Sequence, residues 1–494
     1  MKNDIHDLGL VLDSKVKLIL IESWEEPRVL ELITSLAVKR THTVYRWTDV
    51  DGLARLGFGS DAADSELTQN PEEALKVIRR DMQPNVYVLC DLHPYLLGEN
   101  PKLVRLLKEV ALRSESYAPT VVLLSHAMEL PAEVRRYAAR FELSLPSEEE
   151  LGAIVREEAG QWSERNRGLR VRTDNRTLGQ LVKNLRGLTH GEARLLARKV
   201  IVDDGAITQE DLPELNKAKF ELLDLDGVLS FEYDTARFAD VGGLRRFKQW
   251  LGQRQQAFLT QQGGDIPRGV LLVGVQGGGK SLAAKAVAGL WGLPLLRLDF
   301  GSLYNKYFGE TERNLREALK LADMMSPCVL WMDELEKGMA TGDNDGGVSQ
   351  RVLGTLLTWM AERKTPVFMV ATANAIKQLP PELVRKGRFD EMFFVDLPEA
   401  QVREEIFRIH LEKRDLPLER FALAELSEAA EGFSGAEIEQ AVVSAVYAAQ
   451  AQESPVNQKH IVQALHDTSP LSVVMAEDLF ALRQWAEQRT VPAD

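Results

Sequence analysis

An apolar run, Gly269-Val-Leu-Leu-Val273, leads directly into Gly274-Val-Gln-Gly-Gly-Gly-Lys280-Ser281, and the helical run Leu282–Leu290 follows. A glycine loop of this form between a strand and a helix is a phosphate-binding loop. Its glycines let the backbone close on phosphate oxygens and aim N–H groups at them. The start of the following helix adds partial positive charge. Lys280 would neutralise the β- and γ-phosphates and Ser281 would ligate Mg²⁺, so ATP and Mg²⁺ are the expected cofactors.

Two further apolar runs supply the rest of such a site. Cys328-Val-Leu-Trp-Met332 ends in Asp333-Glu334, where Asp333 would hold the Mg²⁺ shell and Glu334 would polarise the attacking water. Val367–Ala373 ends at Asn374, whose amide could reach the γ-phosphate and that water. Arg385 and Arg388 flank a glycine turn just beyond it, a placement that suits charge delivered to a neighbouring subunit's nucleotide. Phe393-Phe-Val-Asp-Leu-Pro398 completes the half. Strands alternating with helices in this way predict a doubly wound parallel sheet.

The N-terminal half repeats the same beats. Val16–Ile21, Asn85–Cys90 and Thr120–Ser125 are its expected strands, and Arg140-Phe-Glu-Leu-Ser-Leu-Pro146 matches the Arg-Phe-Asp and Leu-Pro landmarks of the second half. Where a phosphate loop would stand, this half has Glu22-Ser-Trp-Glu-Glu-Pro-Arg-Val29, with no glycine, no lysine and three carboxylates. Like-charge repulsion and the missing N–H groups rule against nucleotide there. Asp91, after its second strand, is followed by Leu92 rather than by a general base. The expected fold is therefore α/β, a P-loop sheet with a helical lid, duplicated and with a degenerate N-terminal copy. Its expected divisions are 1–150 for the degenerate module, 151–225 for a lid-like segment and linker, 226–398 for the large ATPase subdomain and 399–494 for its helical lid and tail.

Composition sets the remaining bounds. The 494 residues include 60 basic and 74 acidic side chains, a net charge of −14, which disfavours phosphate-backbone partners. Two cysteines suit a reducing compartment, no apolar run is long enough to span a bilayer, and the first residues lack signal-peptide order. A cytoplasmic location is expected. None of the eight histidines stands at a recognisable metal-ligand spacing, so structural or solvated roles are expected for all of them.

With these residues the chain resembles the AAA+ ATPases, and among them the AAA clade of protein-remodelling machines, over roughly residues 236–470. Within that clade it is similar to a group of plastids and cyanobacteria known as a hypothetical chloroplast frame. The resemblance implies that Phe238–Gly243 is the entry segment, with Val241 and Gly242 beside the adenine. It implies that Gly274, Val275, Gln276, Gly277, Gly278, Gly279, Lys280, Ser281 and Leu282 hold the phosphates. Gly435-Ala436-Glu437 looks like the lid signature, with Ala436 in place of a sensor arginine. Tyr307-Phe308-Gly309 looks like a pore loop that grips polypeptide, and residues 342–347 look like a second loop. A homo-oligomer, six subunits in the resemblance, acting on a protein client is implied; an assembly switch recruiting partners through the first half is the alternative. A DNA-acting enzyme is disfavoured by the charge and by Ala436. Val275, Gln276 and Gly278 depart from the clade's usual prolines and threonine, which leaves the loop less preorganised and predicts weaker nucleotide affinity.

Overall fold

The computed structural model describes residues 2–494 apart from 15, 58–64, 97–99, 116, 224–228, 234–239, 261–265, 305–310, 340–347, 377–378 and 386. The expected pore-loop residues Tyr307, Phe308 and Gly309, the second loop at 342–347 and Phe238 lie outside the described residues. The chain divides into two compact units, Met1–Glu157 with Leu188–Ala197, and Glu158–Gly187 with Arg198–Asp494.

The first unit is built on strands β1 (Leu18–Glu22), β2 (Val44–Thr48), β3 (Gly52–Leu56), β4 (Val86–Cys90), β5 (Thr120–Ser125) and β6 (Ala138–Phe141), in sheet order β3-β2-β4-β5-β1-β6. All pairs are parallel except the β2–β3 hairpin. Side chains alternate along β1: Leu18 and Leu20 enter one core, Ile19 and Ile21 the other. A strand apolar on both faces needs helices on both sides, which is why it appears as an unbroken hydrophobic run.

In the second unit, β7 (Arg172–Thr173) and β8 (Ala206–Ile207) form a short parallel pair. The main sheet contains β9 (Leu229–Glu232), β10 (Gly269–Gly274), β11 (Leu295–Asp299), β12 (Cys328–Asp333), β13 (Val367–Ala373), β14 (Glu391–Val395) and β15 (Val491–Pro492). Its order is β15-β14-β10-β13-β12-β11-β9, with β9 antiparallel at one edge. Leaving out the hairpin strand β3 and the edge strands β9 and β15, both sheets run fifth-first-fourth-third-second. The two halves thus share a topology as well as sequence landmarks.

Two differences from the expected divisions have physical causes. Helix Asp211–Leu223 buries Phe220 in the core of the main sheet, and Lys219 Nζ donates to the carbonyls of Arg186 and Met324. Most of 151–225 therefore packs with the second unit. The C-terminal tail does not stay with the lid either: Val491 pairs with Phe393, which adds an edge strand to the ATPase sheet.

Candidate nucleotide site

Strand β10 is buried throughout and ends at Gly274, whose φ of +151° is closed to side chains; a Cβ there would lie 2.0 Å from the Val395 carbonyl oxygen. The chain turns through Val275–Gly279 into helix Lys280–Trp291, stopped by left-handed Gly292. Gly277, at φ +74°, accepts a hydrogen bond from Ala436 N–H at 3.1 Å, so the lid signature touches the loop directly. Ser434 and Glu437 form a capping box that fixes where helix Gly435–Ala451 begins.

Lys280 is buried and its ammonium donates to the carbonyls of Gly274 (2.9 Å) and Val275 (2.7 Å). Burial pulls its pKa down to about 8, against the opposing pull of Glu336, Asp333 and Glu334. The Ser281 hydroxyl stands 3.5 Å from Asp333 Oδ1. Asp333 also accepts from Thr372 Oγ1 (2.7 Å) and from Arg297 (3.1 Å). Glu334 sits at φ +49°, its N–H donating to Thr372 Oγ1, and Asn374 Nδ2 lies 3.5 Å from its carboxylate. Lys337 pairs with the other Glu334 oxygen at 2.5 Å.

These groups open on one cleft of about 570 Å³. Val241, Gly242, Gln276, Gly277, Gly278, Gly279, Lys280, Ser281, Leu282, Asp333, Glu334, Asn374, Gly435 and Ala436 all line it. Gly274 and Val275 do not; they hold the lysine from behind and line a separate, more apolar cavity against helix Ala476–Ala486. Arg385 is exposed, whereas Arg388 is half-buried and donates to the Leu357 carbonyl at 2.6 Å, so the two arginines are not equivalent.

Several residues in the cleft or bonded to its lining escape a sequence reading. Buried Glu336 accepts from the N–H groups of Asn374 (2.8 Å) and Ala375 (3.3 Å), tying the end of β13 to β12. Helix Ala400–Glu412 turns Ile406, Ile409 and His410 onto the cleft at helical spacing. His410 lies 3.4 Å from Glu439, and burial lowers its pKa. Only the Asp-Glu-Leu-Glu336 run hinted at any of these.

Three family models match the chain. They are the SpoVK-like AAA ATPase N-terminal domain over residues 4–143, the SpoVK-like second domain over 149–226, and the ATPase family associated with various cellular activities (AAA) over 270–397. The uncharacterized AAA domain-containing protein ycf46 of Pyropia yezoensis is 35% identical over 494 residues, 98% of either chain. The chain belongs to the AAA ATPase family. Its Guillardia theta relative of the same description is 34% identical over 98% of this chain and 94% of its own. A cell division cycle protein 48 homolog of Archaeoglobus fulgidus is 33% identical over 249 residues, 48% of this AAA chain and 34% of that protein.

The N-terminal half of this AAA protein differs from the second half in more than composition. Between β1, ending at Glu22, and the helix beginning at Glu26 stand only Ser23, Trp24 and Glu25, too few to wrap a phosphate. Glu22 is itself occupied, accepting from Met128 N–H and Arg140. Backbone geometry also reassigns Asp91. It sits at φ +53° and precedes fully buried Leu92, as Glu334 at φ +49° precedes fully buried Leu335. Asp91 thus occupies the place of Glu334, and buried Cys90 that of Asp333, whereas the sequence reading had matched Asp91 to the first of the two carboxylates. Among the described residues no helix is long and apolar enough to cross a membrane.

Proposed function

We propose that this chain hydrolyses ATP in the cleft and works as a ring, six subunits in the simplest case, that remodels a protein client. The convergence of Lys280, Ser281, Asp333, Glu334 and Asn374 on one cleft carries this reading. Lys280 leaves its two backbone carbonyls for the phosphates. Mg²⁺ would be held by Ser281 with Asp333 and supply charge neutralisation; Glu334, steadied by Asn374, takes the proton of the attacking water. The adenine is received between Val241–Gly242 and the lid residues Ile406 and Ile409, which offer an apolar slot. Arg385 is the residue free to reach a neighbouring subunit's nucleotide, and Tyr307, Phe308 and Gly309 would contact the client.

Phosphate release measured across a dilution series tests the ring: turnover per subunit should fall as the assembly dissociates, and Glu334→Gln should abolish it while retaining bound ATP. Capturing a client on the Glu334→Gln trap and assaying Tyr307→Ala against it tests threading. The short, charged Ser23–Glu25 turn favours a second reading, an assembly switch that recruits partners through the first half. That reading fails if Lys280→Ala still assembles and recruits.

A further inference from the structure

We propose that the N-terminal module binds a divalent transition-metal ion through Asp91, His93 and His126. A carboxylate oxygen of Asp91 and one ring nitrogen from each histidine all lie within 4.8 Å of one another. Among the described residues no other group of three or more His, Cys, Asp or Glu converges in this way. The group stands at the C-terminal ends of neighbouring strands β4 and β5, the edge at which open α/β sheets take ligands. The half that lost its phosphate loop keeps that edge and furnishes it with imidazoles.

The hydrogen bonding at this edge suits a shared cation. The Ser125 hydroxyl donates to Asp91 Oδ1 at 3.1 Å, lies 2.8 Å from His93 Nδ1 and 3.5 Å from His126 Nδ1. It has one proton to give and three neighbours that can accept. A divalent cation satisfies all three at once. The ligands are also held in place. Asp91 keeps its left-handed backbone through an N–H bond to the Leu124 carbonyl (2.9 Å), and His93 opens a short helix. The His126 ring stacks on Trp24 with centroids 4.6 Å apart and meets His93 edge-on at 5.0 Å. Trp24 comes from the turn that replaced the phosphate loop, so that turn acquires a purpose as an aromatic wall of the site.

Two imidazoles and one carboxylate are the donor set of Zn²⁺ or ferrous iron, not of Mg²⁺, which prefers oxygen ligands. Asp91 and His126 are exposed, leaving room for water or a small anion in the remaining coordination positions. Local spacing rules could not find the site, because His93 and His126 meet only through the pairing of β4 with β5.

The test is calorimetric titration of Zn²⁺ into nucleotide-free, untagged full-length protein, with Mg²⁺ present as competitor. The wild type should take up a zinc equivalent that the His93→Ala/His126→Ala double variant lacks, and Asp91→Asn should weaken that step at least tenfold. Co²⁺ should quench part of the tryptophan fluorescence, and Trp24→Phe should remove that part. ATP turnover of the double variant should match the wild type in buffer whose sole divalent metal is Mg²⁺, which keeps this result separate from the nucleotide site. Equal zinc uptake by wild type and double variant, no uptake at all, or displacement by Mg²⁺ would each overturn the proposal. Should the double variant fail to fold, Asp91→Asn and the Trp24 quenching decide alone.

Discussion

Moving from about pH 7 to about pH 9.5 should weaken binding of a non-hydrolysable ATP analogue with Mg²⁺ by about thirtyfold, through Lys280 alone. Within the cleft burial lowers the lysine to about 8. Roughly nine in ten molecules carry the ammonium at about pH 7 and about three in a hundred at about pH 9.5. On the proposed binding mode the triphosphate requires the charged form, and a terminal phosphate is about nine-tenths ionised or more over this window. Binding must therefore draw in about one proton at the upper end. Calorimetry in buffers of different ionisation enthalpy measures both the affinity and that proton. Lys280→Met should bind weakly with no such slope. The same depression has a stability consequence of defined sign. Below about pH 8 the folded protein bears the full cost of a buried ammonium, and stability rises with pH as that cost is relieved toward the ordinary lysine value. A loss of affinity under threefold, or an equal slope in Lys280→Met, would refute the assignment of the titration to this residue.

Three more outcomes separate roles within the second unit. Arg388→Ala should destabilise by about 1.5–3 kcal/mol in urea unfolding, because the Leu357 carbonyl loses a charged donor, whereas Arg385→Ala should leave stability unchanged and cut turnover of the assembled protein by about 10³ or more. Ser434→Ala removes the cap that starts the lid helix; a loss of about 1 kcal/mol in unfolding free energy is expected, together with a higher KM for ATP. Lys219, held at about 7 by burial, penalises the folded state below that value and releases the penalty as pH rises toward the ordinary lysine range. Lys219→Met should flatten that part of the stability–pH curve in differential scanning calorimetry.

The active site was legible in the sequence where its residues are contiguous. Gly274–Leu282 declares itself because one loop must supply N–H groups, lysine and hydroxyl within a few residues, and Asp333-Glu334 and Asn374 because each ends a buried strand. Legibility stops where a role depends on which strands are neighbours. Arg297 reaches Asp333 only because β11 pairs with β12, and His410 reaches the cleft only because the lid folds over it. Edge strands were invisible for a different reason. β15 is two residues long, and β2–β3 is a half-exposed hairpin without a continuous apolar run. The division near 225 agrees with the end of the matched second domain at 226, but composition records only a charged helix there and not that its Phe220 enters the core of the main sheet.

Strands β12 and β13 act as one part in this site, for reasons visible in their side-chain bonds. Thr372 donates to Asp333 and accepts from the Glu334 N–H, so one hydroxyl positions both acidic residues. Glu336 accepts from the Asn374 and Ala375 N–H groups, so the segment that follows β13 is fastened to the turn that carries Glu334. One Glu336 oxygen remains buried without a hydrogen-bond partner, an expensive arrangement that makes the bonds on its other oxygen costly to lose. A movement at Asn374 therefore cannot stay local: it must pull on Glu336, and with it the short helix Leu335–Met339 that follows the base. On the proposed chemistry, cleavage of the γ-phosphate would be felt at that helix because Asp333, Glu334 and Asn374 are linked to one another across adjacent strands.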